Sequence, residues 1–302
     1  MLTALIWGVA FVAQREGGNA TGPYTFCFLR YIIGGFVLIP VIKIFDKTNV
    51  SRHKPETAEE KKLLIKGGIC TGLCLGVASI FQQVGIYLGT GAGKAGFLTA
   101  CYIVLVPVLG LFVKRRCGIN VWVAVAITVL GLYLLCINGE FSIEKSDALV
   151  LACSLVYSMH ILTIDHFISK DVDGVRMSSI MSFTAAILCI PFLFVSELHC
   201  SFSEIPQALT TAFSKEALIP LLYTGIMSSG VAYTLQIIGQ KDVNPTVASL
   251  LMSLESVFSV LAGWIILGES LSVKELSGCA LIFAAVVLSQ LPIDKIKAKR
   301  TE

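Results

Sequence analysis

Ten apolar stretches follow one another along this chain, most of them near the ~20 residues a helix needs to cross a bilayer. They fall at Leu2–Ala13, Phe26–Phe45, Leu64–Leu88, Ala95–Val113, Val121–Ile137, Ala148–Ile168, Val175–Val195, Ala217–Ile238, Val247–Leu267 and Leu276–Leu291. Hydrocarbon offers no partner to a free backbone N–H or C=O, so such stretches are helices unless strands close into a barrel. Barrel strands are shorter and alternate polar with apolar residues, which these do not. Charged residues make up 14% of the chain, against roughly 25% in a soluble domain. The expected fold class is all-α: a polytopic membrane protein of ten transmembrane helices.

The first stretch is short for a crossing, which leaves room for residues before Met1. It lacks the charged n-region and small-residue cleavage site of a signal peptide, so it is taken as a span.

A pattern in the third stretch recurs in the eighth. Gly76, Val77, Ala78, Gln82 and Gly85 return as Gly230, Val231, Ala232, Gln236 and Gly239, each 154 residues later. The chain therefore reads as two related halves, 1–137 and 147–291, joined by a polar linker and followed by a basic cytoplasmic tail, 292–302. Five crossings per half is an odd number, so the second half enters the membrane from the opposite side. Inverted repeats that meet at the midplane are an architecture of alternating access.

The charges agree with this topology. With the N-terminus inside, 17 of the 23 Lys and Arg fall on inner loops and helix ends. Five, Arg15, Lys94, Lys145, Lys215 and Lys274, fall outside, and Arg30 lies within a helix. By the positive-inside rule both termini are cytoplasmic. Lys114-Arg115-Arg116 is then a topology determinant, and nucleic acid is excluded as a partner. The ten cysteines lie mostly in apolar stretches as small apolar residues, with Cys117 and Cys200 in loops on opposite sides. No disulfide framework, metal site or cofactor motif follows. The longest outer loop, Glu197 to Glu216, has room for a short interfacial helix.

Several runs resemble the drug/metabolite transporter superfamily in its EamA-like branch. They are Trp7-Gly8-Val9-Ala10-Phe11-Val12-Ala13-Gln14, Phe28-Leu29-Arg30-Tyr31, and Gly93-Lys94-Ala95-Gly96-Phe97-Leu98-Thr99 continuing to Val106-Pro107. In the second half Ala248-Ser249-Leu250-Leu251-Met252-Ser253-Leu254-Glu255-Ser256 and Leu267-Gly268-Glu269 match. The resemblance implies a ten-helix bundle of inverted five-helix repeats that exports amino acids or other small polar metabolites. It places the cavity among the first, third, fourth, sixth, eighth and ninth helices. One departure is Ser256, where the family often has a proline after the glutamate. The ninth helix is therefore expected to bend less than the fourth, which keeps Pro107.

Glu255 is the sharpest candidate for function. An acid at mid-helix costs ~2.5–3.5 kcal/mol on insertion scales, so it needs a partner in the bundle or a role with a cation or proton. Gln82 and Gln236, at matching repeat positions, are expected to approach one central axis and to hydrogen-bond a polar substrate or tie helices together. Gly68, Gly72, Gly76, Ser79 and Gln83 form one small-residue face, read as close helix packing. Arg30 could pair with an anionic substrate, but its long stem lets it snorkel outward and the second helix is not expected to line the cavity, so it is read as structural. His160 and Asp165 match a spacing found in acyltransferases, but five helical positions turn the two side chains about 140° apart, so they cannot act as one base. His160 stays a cavity candidate. Trp7, Gln14, Phe97, Tyr102, Tyr157, Tyr233 and Trp264 are candidates for its walls.

The reading that results is a transporter in the cell membrane, a bacterial inner membrane, with a small-molecule substrate and the lipid bilayer as partners and a homodimer left open. A membrane-embedded transferase would need a cluster of acid, His or Cys groups that no loop gathers. A scaffold would carry its buried polar groups at a cost with no return.

Overall fold

The computed structural model describes residues 1–48, 54–115, 117–136, 143–267 and 272–291. The expected tail at 292–302 and most of the linker lie outside the described residues. Among the described residues there are helices and no strands. In chain order they are α1 (Leu2–Thr21), α2 (Pro23–Thr48), α3 (Ala58–Tyr87), α4 (Ala92–Ala100), α5 (Tyr102–Phe112), α6 (Ile119–Cys136) and α7 (Lys145–Ile168). Then come α8 (Gly174–Ser196), a 3-10 turn (Phe202–Glu204), α9 (Ile205–Ala212), α10 (Lys215–Leu222) and a π-helical stretch (Tyr223–Ala232). The chain continues as α11 (Tyr233–Gly239), α12 (Pro245–Met252), α13 (Leu254–Leu267) and α14 (Val273–Gln290).

Every apolar stretch named above falls on helix. Seven helical segments among the described residues are long and apolar enough to cross a membrane, and Ile119–Leu135 and Pro245–Leu261 are shorter apolar helices. α1 is helical over 20 residues, but its second half, Gln14 to Thr21, is polar. The outer loop does hold a short helix, α9, behind the 3-10 turn.

Local chemistry sets the helix starts. Thr57 and Glu60 form a capping box at α3, and Ser272 and Glu275 one at α14. Asp173 accepts from the N–H groups of Val175 and Arg176 at α8, and Asn244 accepts from Thr246 beside Pro245 at α12.

Two spans are interrupted at their middle. The fourth breaks at Cys101, between α4 and α5, and the ninth at Ser253, between α12 and α13. The ninth is therefore interrupted without a proline of its own at the break, close to the Ser256 that stands where the family often has one. The Ser253 hydroxyl donates to the Leu250 carbonyl three residues back at 2.7 Å, a bond that Ser154 and Ser158 also make within the unbroken α7.

Packing exchanges the halves. α3 lies against α7 and α8, while α10 and the π stretch lie against α1 and α2; α2 meets α8, and α6 meets α14. The small-residue face on α3 makes one of these contacts possible. A Cβ added to Gly68 would sit 2.5 Å from Ile180 Cβ, and one on Gly72 would sit 2.6 Å from the Met181 carbonyl. Both neighbours are on α8, so the face is a packing surface, as its spacing suggested.

Candidate functional site

Where the halves meet, a cavity of about 510 Å³, its open mouth included, is enclosed by side chains from both. Trp7, Phe11 and Gln14 recur at spacings of four and three on α1, which puts them on one inward face. α3 contributes Gln82, and α7 contributes Tyr157, His160 and Ile161. Thr99 and Tyr102 flank the break at Cys101, and Met252 and Glu255 flank the break at Ser253. Ser228 on the π stretch and Tyr233 and Gln236 on α11 close the wall, together with Arg30 of α2.

The polar groups are unevenly satisfied. Gln82 Nε2 donates to Thr99 Oγ1 at 3.0 Å, which ties α3 to α4. Its repeat counterpart Gln236 has a buried Oε1 with no hydrogen-bond partner. Trp7 Nε1 and Arg30 Nε are buried and unpartnered as well. Tyr102 donates to Glu255 Oε1 at 3.2 Å, and the Glu255 side chain is buried. Buried polar atoms without partners are rare in folded proteins. Three of the nine such atoms among the described residues belong to side chains that line this cavity, where a bound solute or water is the partner available to them; the others, on Gln83, Ser182, Ser229, Gln240 and Ser256, lie outside its lining.

Beside them runs a chain of bonds. Gln83 Nε2 donates to the Gln14 carbonyl at 2.9 Å, and Arg30 Nη1 donates to Gln14 Oε1 at 2.7 Å. Arg30 Nη2 donates to the Tyr31 hydroxyl at 3.1 Å; that hydroxyl bonds Ser79, which lies 3.2 Å from the Tyr157 hydroxyl. Aromatic rings pack over the cavity floor, with Trp7 and Tyr233 4.9 Å apart and His160 edge-on to Tyr157 and Tyr233.

Of the residues named from sequence, Trp7, Gln14, Gln82, Tyr102, Tyr157, His160, Tyr233, Gln236 and Glu255 line this cavity. Phe97 does not. Two positions before Thr99, it turns about 200° away from the cavity-facing side of α4 and packs with the apolar side chains around Phe11, Leu98 and Val150. Trp264 is half exposed on the outside of the bundle. The outward placement expected of Arg30 is corrected too: the residue is 2% exposed and lines the cavity, held inward by Gln14 and Tyr31 rather than snorkelling. His160 and Asp165 part as the helix geometry requires. His160 Nε2 lies 3.4 Å from Met181 Sδ, while Asp165 accepts from Arg115 Nε at 2.7 Å at the other end of α7.

Sequence reasoning passed over Phe11, Thr99, Ile161, Ser228 and Met252. Helical spacing would have found four of them: Phe11 is four from Trp7, Thr99 three from Tyr102, Ile161 four from Tyr157, and Met252 three from Glu255. Ser228 sits in a π turn, whose register that rule does not describe.

A solved crystal structure matches the whole of this chain and 96% of its own at a TM-score of 0.74 and 18% identity, which establishes a shared fold. An uncharacterized transporter of Archaeoglobus fulgidus is 28% identical over 300 residues, 97% of this chain and 84% of that protein. The threonine/homoserine exporter RhtA of Escherichia coli strain K12 is 27% identical over 274 residues, 88% of this chain and 81% of its own. The model of the EamA-like transporter family matches twice, at residues 1–137 and 145–291. These proteins are transporters rather than enzymes. With both halves matched and a polar cavity between them, the chain belongs to the EamA-like transporter family.

Proposed function

We propose that this chain exports a small polar metabolite of the amino-acid kind by alternating access, as two inverted five-helix repeats with both termini in the cytoplasm of a bacterial cell. The observation that carries the reading is the convergence of Gln82 and Gln236, 154 residues apart at matching positions, on one enclosed cavity. The exchange of packing partners between halves supports the repeat, and the interrupted spans beside the cavity are the kind of helix that builds midplane sites in transporters. The similarity to the threonine/homoserine exporter RhtA supports the substrate class and direction. Glu255, buried in the cavity wall with one hydrogen-bond donor, is the group placed to exchange a proton or meet a cation.

The test is counterflow in proteoliposomes. Vesicles preloaded with unlabelled amino acids, threonine and homoserine among them, should take up the matching labelled solute, and Gln236→Leu should reduce the rate by at least about tenfold. Uptake no greater than in empty liposomes across the panel would overturn the reading.

A further inference from the structure

We propose that Arg30 is the cavity's contact for a carboxylate on the substrate, so that the site selects molecules bearing one. The proposal rests on the transport reading only for the identity of the cavity as a substrate site. Three observations carry it.

First, Arg30 is a buried permanent cation without a counter-ion. Guanidinium stays protonated in proteins, and no carboxylate lies within ion-pair distance of it among the described residues. The other buried or half-buried basic groups in ion pairs, Lys94, Arg115 and Arg176, each have an aspartate. A charge taken out of water without its partner is strongly unfavourable, so a partner supplied by the substrate is the economical completion.

Second, its donors are half used. Nη1 serves Gln14 and Nη2 serves Tyr31, both neutral acceptors, while Nε is buried with no partner. A guanidinium carries five N–H donors in a planar fork, so the free Nε–H and an adjacent Nη–H remain as a pair spaced for the two oxygens of a carboxylate.

Third, the group is aimed and fixed. It forms part of the cavity wall, its carbon lies 4.7 Å from the Tyr31 ring centroid and 5.9 Å from that of Phe26, and Gln14 is itself held by Gln83. Aromatic faces ease the burial of a cation but offer it no hydrogen-bond acceptor. A purely structural arginine would have no need to leave a buried Nε without an acceptor in a side chain that lines a cavity.

The experiment compares carboxylates with their amides. Purified full-length protein in detergent is titrated with a panel of L-amino acids and the corresponding L-amino acid amides, with binding read by calorimetry and by the thermal midpoint. The amide keeps size, side chain and ammonium and removes only the anion. We expect at least one amino acid to bind, its amide to bind at least about tenfold more weakly, and Arg30→Gln to erase that difference. Arg30→Lys keeps the charge but not the fork and should retain part of the preference; it serves where Arg30→Gln does not fold. Equal binding of acid and amide, no binding by any carboxylate, or an unchanged preference in either folded variant overturns the proposal. Flux separates it from the transport reading: a ligand that binds through Arg30 yet is not moved in proteoliposomes sinks transport and keeps Arg30, and flux that Arg30→Gln leaves unchanged does the reverse.

Discussion

Glu197, just past the end of α8, caps the start of α2: its carboxylate accepts from the Tyr24 and Thr25 N–H groups at 2.8 and 2.7 Å and from the Thr25 hydroxyl. The first N–H groups of a helix have no partner within it, and here an acid 172 residues away satisfies two of them. The helix so anchored is the one that carries Arg30. Glu197→Ala should lower stability by about 1–3 kcal/mol, through lost charged hydrogen bonds and a lost cap. Thermal unfolding in detergent reads the change, and a midpoint equal to wild type would show that the cap contributes nothing.

Gly85 and Gly239 hold the same repeat position but not the same surroundings. A Cβ on Gly85 would lie 2.5 Å from Val150 Cγ2 and 2.9 Å from the Ser146 carbonyl, whereas one on Gly239 would meet nothing within 4 Å. Gly85→Ala should therefore destabilise by about 1–3 kcal/mol, by forcing α3 away from α7. Gly239→Ala should be neutral or slightly stabilising, because alanine narrows the unfolded ensemble. Equal losses in the two variants, measured by the same unfolding assay, would contradict this contrast.

Glu255 can be tested without removing its shape. Glu255→Gln keeps size and the bond from Tyr102 but cannot ionise. We expect the variant to fold and reach the membrane while the pH dependence of flux flattens. A pH profile identical to wild type would leave Glu255 as a packing group.

Orientation is open to labelling. Cys200 is exposed in the outer loop and Cys117 half-buried beyond α5, the two on sides expected to be opposite. An impermeant thiol reagent applied to intact cells should modify Cys200 and spare Cys117. The reverse pattern would invert the topology and with it the 17-to-5 charge argument.

The fold was largely legible because membrane helices announce themselves by length and apolarity, and Gln82 and Gln236 were legible because they repeat. Arg30 was not. Its outward reading rested on the general habit of long basic side chains; Tyr31 is its sequence neighbour, but Gln14 lies 16 residues away and meets it only through the packing of α1 on α2. Phe97 failed for the converse reason: an aromatic two residues from a cavity threonine is on the wrong side of a helix, and adjacency in sequence says little about facing. The break at Ser253 was hidden because no proline marks it.

The π-helical stretch from Tyr223 to Ala232 makes this region a point where the cavity wall can absorb a change in chain length. A wider turn absorbs residues that an α-helix would spend on rotation, and each residue is worth about 100° of facing. Deleting one residue there would let the segment relax toward α with Tyr233 and Gln236 still facing the cavity, because the wider turn is what holds the surplus residue. A relative one residue shorter across this stretch can thus present the same wall residues, and a single gap there marks the loss of the wider turn rather than a change of wall.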